Sequence, residues 1–600
     1  MDTKTDARPA PAGASVAKDW LRALELTGKI AARPTHTLTH IVDEMAQRNG
    51  GAPALLSHDT CFDYRTLAGR AARYAHWALG ENIAKGDVVA LLMPNCPDYL
   101  AIWLGISRIG GVVALLNTHL TGPALAHCIN IVNPKHVIVA ASLTDAFASA
   151  QPHLAEGAKI WARGAGTHGW SRIDEVLERL PAEPPSADRH ALVTIDDLAL
   201  LIYTSGTTGL PKAANIDHGR LLMWSYWFAG LMNTRPDDRM YNCLPMYHSI
   251  GGVAAIGAVL VAGGSVFVRD KFSARQFWDD VVRWDCTLFQ YIGELCRYLV
   301  KAAPHPLERA HQLRLACGNG LRLDVWEDFA ARFRIPRILE FYASTEGNVT
   351  LFNVEGKPGA IGRAPSFLAH RLPAVLVKFD VATGAPLRDA GGLCVKCAVN
   401  EPGEALGRIG SGSGDIGRRF NGYTSAAETE KKILRDVFEP GDAWFRTGDL
   451  MRRDDKGFFY FVDRIGDTFR WKGENVATSE VAAALCAFDG IVDAAVTGVQ
   501  IPGCDGKAGM AVLVADGPLD LTALHRHLAE RLPSYARPLF VTIRRELDIT
   551  STFKHKKAAG LSYDPESNPD PIYFNDPDRD AFVRLDTERY QRICSGELRL

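Results

Sequence analysis

Short apolar, β-branched runs recur early in the chain: "VVALLM" from Val88, "VVALLN" from Val112, "HVIVAA" from His136 and "LALLIY" from Leu198. Helix-like stretches such as "YRTLAGRAARYAHWALG" lie between them. A strand that is apolar along its whole length needs cover on both faces, and intervening helices supply it. The pattern therefore predicts an α/β fold of parallel sheets stacked between helices. From about residue 355 Gly and Pro become frequent, in "EGKPGAIGRAPS", "EPGEALGRIGSGSGDIG" and "KGFFYFVDRIGD". Short strands and tight turns suit that texture, which reads as a small β-barrel within the large N-terminal domain. Beyond it, "SEVAAALCAFDGIVDAAVTGV" and "LTALHRHLAERLPSYARP" resume the alternation, predicting a small C-terminal α+β domain.

Composition narrows the classes of function. With 600 residues, 47% of them apolar, and a formal charge of -2, the chain has ample core and no basic excess for a nucleic-acid backbone. Its 12 Cys are scattered from Cys61 to Cys594, unlike a secreted disulfide scaffold, so a cytoplasmic location is expected. Cys394 and Cys397 in "LCVKC" have a metal-binding spacing but no second pair nearby, and read as two core thiols. Residues 1–34 begin with charge and Pro where a signal peptide needs an apolar core, and are expected to form a disordered tail. The uncharged stretch from Ser249 to Val268 is long enough to span a bilayer. Its five Gly and its "AGG" break favour a buried helix, a turn and a strand.

"IYTSGTTGLPKAAN", residues 202–215, sets a loop of small, hydrogen-bonding residues after an apolar strand. Gly206 and Gly209 permit positive φ and close backbone approach, the hydroxyls and N–H groups can converge on an anion, and Lys212 adds a mobile charge. The loop suits phosphate. It is not a Walker A loop, because Pro211 and Ala213 stand where that pattern needs Gly and Ser or Thr. Taken alone, it also fits a plain Gly/Ser/Thr turn.

The order "SGTTGLPK" resembles the phosphate loop of the adenylate-forming superfamily of acyl-CoA synthetases, luciferases and peptide-synthetase adenylation domains. Further motifs match in the same order: "LPMYHSIGG", "FYASTEG", "FRTGDL" and "DRIGDTFRWKGENV". "YIGELCRYL", "GNGLR" and "LPSYARP" look like the branch of fatty acid transport proteins and very-long-chain acyl-CoA synthetases. The resemblance covers roughly residues 35 to 600.

That resemblance implies an ATP-dependent ligase that joins a long or very long fatty acid to coenzyme A through an acyl-AMP. Thr204, Ser205, Gly206, Thr207, Thr208, Gly209 and Lys212 would hold the ATP phosphates. Gly318, Asn319, Gly320 and Tyr342 would enclose adenine, with Asp449 and Arg464 on the ribose. Glu346, with Thr345 beside it and Thr204 from the phosphate loop, would hold Mg2+ through hard oxygen donors. His248 would gate the acyl pocket as a catalytic-site residue. Lys554 in "STFKHKK" matches the Lys that bridges carboxylate and α-phosphate, although the commoner ending is "SGK" and Lys556 and Lys557 lie close by.

Trp471, Lys472 and Gly473 would meet coenzyme A, and a strand turn is the other reading of that loop. Gly466 stands at the hinge where many family members carry Asp or Lys. The implied domains are 35–463, a hinge at 464–466, and 467–600. The partners implied are fatty acid, ATP and coenzyme A, with peripheral membrane contact and oligomeric state left open. Three alternatives stay open on the same residues: a ligase loading a carrier protein, an uptake protein working by vectorial acylation, and a bile or sterol acid CoA ligase.

Overall fold

The computed structural model describes residues 16–600 apart from 166–168, 205–209, 370, 373, 411–415, 505, 548–560, 577 and 599. Two compact units are distinguished by their contacts: the first comprises residues up to 373 together with Gly407–Leu434, the second Ala374–Leu406 with Arg435–Leu600.

Two large sheets carry the first unit. The seven-stranded sheet runs Ser171–Arg172, Lys159–Arg163, His136–Ala140, Val88–Leu92, Val112–Leu115, Leu198–Thr204, Lys212–Asp217. The four apolar runs quoted above occupy its middle. Val88–Leu92 pairs in parallel with both Val112–Leu115 and His136–Ala140, as strands joined by crossover helices must. Only the last pair is antiparallel, bringing Thr204 opposite Lys212.

The eight-stranded sheet runs Thr350–Asn353, Ile338–Ala343, Leu315–Asn319, Leu288–Ile292, Arg239–Asn242, Ser265–Val268, Pro53–Leu56, Cys61–Asp63. Helix Pro97–Arg108 is buried on every face. It can be so because Gly105 lets it close on the helix Tyr64–Gly80: a Cβ there would stand 2.3 Å from the Ala71 carbonyl oxygen.

The uncharged stretch from Ser249 resolves into one π-helical turn, Ile250–Ala254, a short helix Ala255–Leu260, and the strand Ser265–Val268. Among the described residues no helix is long and apolar enough to cross a membrane. The expected tail of 1–34 differs from the structure in its second half. Val16–Gly28 form a helix whose Trp20 is 1% exposed, edge-on to Trp227 at 5.8 Å and Phe352 at 5.9 Å. Charge and Pro mark only its start; the amphipathic stretch that follows finds its apolar cover in residues more than two hundred positions away.

The second unit holds the antiparallel pair Ala443–Arg453 and Phe459–Arg464. It also holds a C-terminal sheet of Ile491–Gln500, Lys507–Ala515, Phe540–Arg544, Ile572–Asp576 and Ala581–Arg584. A separate apolar core lies under that second sheet, with Phe469, Trp471, Met510, Phe540 and Phe574 in it.

Candidate functional site

The strand Leu198–Thr204 carries the chain into the loop expected to bind phosphate and Lys212 takes it out, so the antiparallel pair fixes both ends of that loop. Ser205, Gly206, Thr207, Thr208 and Gly209 themselves lie outside the described residues. Lys212 Nζ is ion-paired with the Glu428 carboxylate and stands 5.9 Å from the centre of the Tyr423 ring. Lys212, and then Lys431, hold the Glu428 carboxyl down at about 2. A phosphate reaching Lys212 therefore competes with a carboxylate that stays ionised through the physiological range.

Tyr423 joins the two residues assigned to the metal. Its hydroxyl donates to Glu346 Oε1 at 2.9 Å, and the Thr204 side chain lies near enough to act on the same phenol. Burial first, then the neighbouring Glu346 charge, pushes the phenol up, so it remains a protonated donor. Lys432 Nζ lies 3.8 Å from Glu346 Oε1.

The backbone of Glu346 is fixed from below by Arg220, 8% exposed on the helix His218–Met232. Its guanidinium donates to the Glu346 carbonyl at 3.0 Å and to the Gly347 carbonyl. That helix begins here because the Asp217 carboxylate accepts from Arg220 N at 2.6 Å, an N-cap, and it ends at Asn233 in a left-handed conformation. Thr345 Oγ1 lies 3.0 Å from Ser249 Oγ, which ties "STEG" to the segment carrying His248.

His248 is half-buried beside Tyr247, ring centres 4.5 Å apart. The π-helical turn that follows needs its two glycines: a Cβ on Gly252 would meet the Met246 carbonyl oxygen at 2.0 Å, and one on Gly251 the Pro245 carbonyl oxygen at 2.5 Å. Such turns place side chains off the regular helical track, a common device at functional sites.

Gly318 and Asn319 end the strand Leu315–Asn319, and Gly320 turns the chain with φ +80°. A Cβ on Gly318 would stand 2.3 Å from the Tyr291 ring. Asn319 Oδ1 is buried without a hydrogen-bond partner among the described residues, an acceptor that an amino group on a base would satisfy. Tyr342 is half-buried on the neighbouring strand Ile338–Ala343, where it pairs with Leu351 on its other side.

Asp449 and Arg464 belong to the second unit and face each other across the Ala443–Arg453 and Phe459–Arg464 ladder, 4.0 Å between Oδ1 and Nε. Trp471 and Glu474 are directly paired, leaving Lys472 at φ +53° and Gly473 at φ +84° as a two-residue hairpin turn. Both turn residues are exposed, whereas the Trp471 indole, 5% exposed, belongs to the C-terminal core. Gly466 lies in the turn after Arg464, and Lys554 lies outside the described residues.

Sequence reading missed Tyr423, Glu428, Lys432 and Arg220. "GYTSAAETEKK" looks like a capped short helix on local signals, and nothing local connects it to Glu346, 77 residues before Tyr423. Arg220 gave one usable signal, a lone cation within the apolar run "RLLMWSYWFAGLM".

Comparison with known proteins gives two matching families: AMP-binding enzyme over residues 42–400 and AMP-binding enzyme C-terminal domain over 480–554. Long-chain fatty acid transport protein 1 of Homo sapiens is 39% identical over 577 residues, covering 95% of this chain and 89% of that protein. Long-chain fatty acid transport protein 3 of Homo sapiens is 42% identical over 527 residues, with 86% and 76% covered. Among solved structures, the anthranilate CoA ligase AuaEII in complex with anthranoyl-AMP is similar at TM-score 0.74 and 19% identity, covering 87% of this chain and 95% of that one. ATP-bound MatB from Rhodopseudomonas palustris is similar at TM-score 0.72 and 24% identity, covering 87% and 98%.

Proposed function

This chain belongs to the AMP-binding enzyme family, and from that membership we propose that it joins a long-chain or very-long-chain fatty acid to coenzyme A through an acyl-AMP. A carboxylate oxygen attacks the α-phosphorus of ATP and pyrophosphate leaves; the coenzyme A thiolate then attacks the acyl carbon and AMP leaves. The first step places two anions in contact, so most of the protein's work is positioning and charge neutralisation. Lys212 and the phosphate loop hold the β- and γ-phosphates, Gly318, Asn319, Gly320 and Tyr342 the base, Asp449 and Arg464 the ribose, and Lys554 the charge between carboxylate and α-phosphate.

One observation carries the reading: Glu346 accepts from the phenol of Tyr423, which Thr204 of a separate motif also neighbours, next to the Lys212 and Glu428 pair. The donors gathered there are oxygens, which fits a hard cation. Glu346 with Thr204 would hold Mg2+, which when bound neutralises phosphate charge. Glu346→Gln keeps the shape and removes the negative charge, so it is expected to raise the magnesium concentration needed for half-maximal adenylation by about tenfold. A magnesium titration of pyrophosphate exchange checks this, and an unchanged titration moves the metal off Glu346.

The names of the relatives support the long-chain substrate. An ATP–pyrophosphate exchange panel over acids of increasing length tests it, with exchange expected to be greatest for long or very long chains. Greatest exchange with a short, aromatic, bile or sterol acid overturns the chain-length reading. Thioester formation with free coenzyme A is expected as well. Its absence, with acyl transfer to a carrier protein instead, would make the chain a carrier-loading ligase.

The domain boundary near residue 463 and the hinge at Gly466 form part of the same proposal. Thioester formation in this scheme brings the Lys472–Gly473 hairpin tip toward coenzyme A after the C-terminal domain turns.

A further inference from the structure

Glu340 is the one acidic residue in the apolar strand Ile338–Ala343, and the chemistry described above gives it no task. It is 2% exposed. Its Oε1 accepts from the Leu321 backbone N–H at 3.0 Å, and its Oε2 accepts from the Tyr291 hydroxyl at 2.6 Å. Tyr291 in turn packs its ring against Gly318, where an added Cβ would lie 2.3 Å from the ring. The far side of the same turn rests on Gly293, where a Cβ would meet the Gly320 carbonyl oxygen at 1.8 Å. One carboxyl therefore holds both ends of the Gly318–Asn319–Gly320 turn, the end at Leu321 directly and the end at Gly318 through the phenol.

Burial without an opposing cation is costly for a carboxylate, and a chain under no functional demand would fill such a strand position with an apolar side chain. Among the described residues, the groups acting on Glu340 are the Tyr291 hydroxyl and the Leu321 and Gly320 backbone N–H groups. The Cys296 and Cys317 thiols lie near enough to feel its charge. Burial pushes its carboxyl up to about 8. The group is thus held largely neutral near pH 7, one oxygen accepting from Leu321 N and the other sharing a proton with the Tyr291 hydroxyl; Gln can keep the first bond and donate its amide N–H to the same phenol oxygen.

We propose that Glu340 is a positioning residue for nucleobase recognition: by bracketing the turn through Leu321 N and Tyr291, it keeps Asn319 Oδ1 aimed at the 6-amino group of adenine. This rests on the reading that the Gly318–Gly320 turn lines the adenine site, and it adds to that reading the group that sets base selectivity. The bracket acts on the turn assigned to adenine, so its effect is expected on the nucleotide.

The test compares the KM for ATP, the KM for the fatty acid and the preference for ATP over inosine triphosphate, in which a 6-oxo group replaces the 6-amino group. Glu340→Leu is expected to raise the KM for ATP by about tenfold, to leave the KM for the acid within about twofold, and to reduce the preference for ATP. Glu340→Gln is expected to retain the parent values, and Tyr291→Phe, which removes one anchor with little change of shape, to fall between them. Should Glu340→Leu fail to fold, the Tyr291→Phe and Glu340→Gln pair decides the matter. Parent selectivity in Tyr291→Phe, or in a folded Glu340→Leu, overturns the proposal.

Gly318→Val separates this failure from failure of the underlying reading. It fills the space against Tyr291 and is expected to raise the KM for ATP whatever Glu340 does. If Gly318→Val and the parent both treat ATP and inosine triphosphate alike, the turn is not the adenine site and the proposal falls with it.

Discussion

Lys554→Ala is expected to slow acyl-adenylate formation roughly a hundred- to a thousandfold while a supplied acyl-AMP is still converted to thioester at close to the parent rate. The asymmetry follows from where charge gathers. In the first half-reaction a fatty carboxylate meets an α-phosphate that already bears negative charge, and the pentavalent state concentrates both on neighbouring oxygens. A single ammonium placed between them stabilises that state far more than it stabilises the separated ground states. In the second half-reaction a thiolate attacks a neutral acyl carbon and the leaving group departs as AMP, so the same cation has much less to neutralise. Pyrophosphate exchange reads the first step, and thioester formation from added acyl-AMP reads the second. Equal loss in both would point to misfolding or to a structural role, and would end the assignment. Lys556→Ala and Lys557→Ala serve as neighbours of equal charge: if either reproduces the split and Lys554→Ala does not, the bridging cation sits two or three residues further along.

How much of this was legible before any coordinates depended on how far each signal reaches along the chain. The stacked α/β architecture was readable because a strand covered on both faces must be apolar throughout, and "VVALLM", "VVALLN", "HVIVAA" and "LALLIY" all satisfy that locally. The motifs were readable for the same reason, each packing its chemistry into 14 residues or fewer.

Pairings that close only in three dimensions stayed hidden. Trp20 needs Trp227 and Phe352 before its helix has a buried face, so the charged start of the chain suggested disorder instead. Tyr423 means little until the fold carries it to Thr204 and Glu346. The resemblance placed Trp471, beside Lys472 and Gly473, near coenzyme A after rotation of the C-terminal domain. In the structure the hairpin turns its indole into the C-terminal core and exposes Lys472 and Gly473. Alternation in a three-residue strand is too short a signal to tell which face is inward.

Gly466→Pro is expected to leave pyrophosphate exchange largely intact while overall ligation to coenzyme A falls by orders of magnitude. The turn that contains this glycine is fastened on both sides. Before it, the Asp463 carboxylate, 3% exposed, accepts from Thr478 Oγ1 at 3.0 Å and from Thr468 Oγ1 at 3.2 Å, binding the strand end to the helix Thr478–Cys486. Ile465 N donates to the Gly448 carbonyl at 3.0 Å, and after the glycine both Asp467 N and Thr468 N donate to the Arg464 carbonyl at 3.0 Å. A change of direction between half-reactions must then be absorbed by the backbone angles of very few residues, and glycine is the one whose φ and ψ can change most freely. Proline at this position would hold φ near -65° and push Ile465 out of the α region as well. One of the two arrangements could persist under that restriction, and the adenylating one is expected to do so. Gly466→Ala forbids mainly positive φ and should be far milder. Exchange and ligation are measured separately on protein whose unfolding transition matches the parent's. If the proline variant ligates at the parent rate, residue 466 is not the pivot, and any rotation turns on another residue of the 463–467 segment.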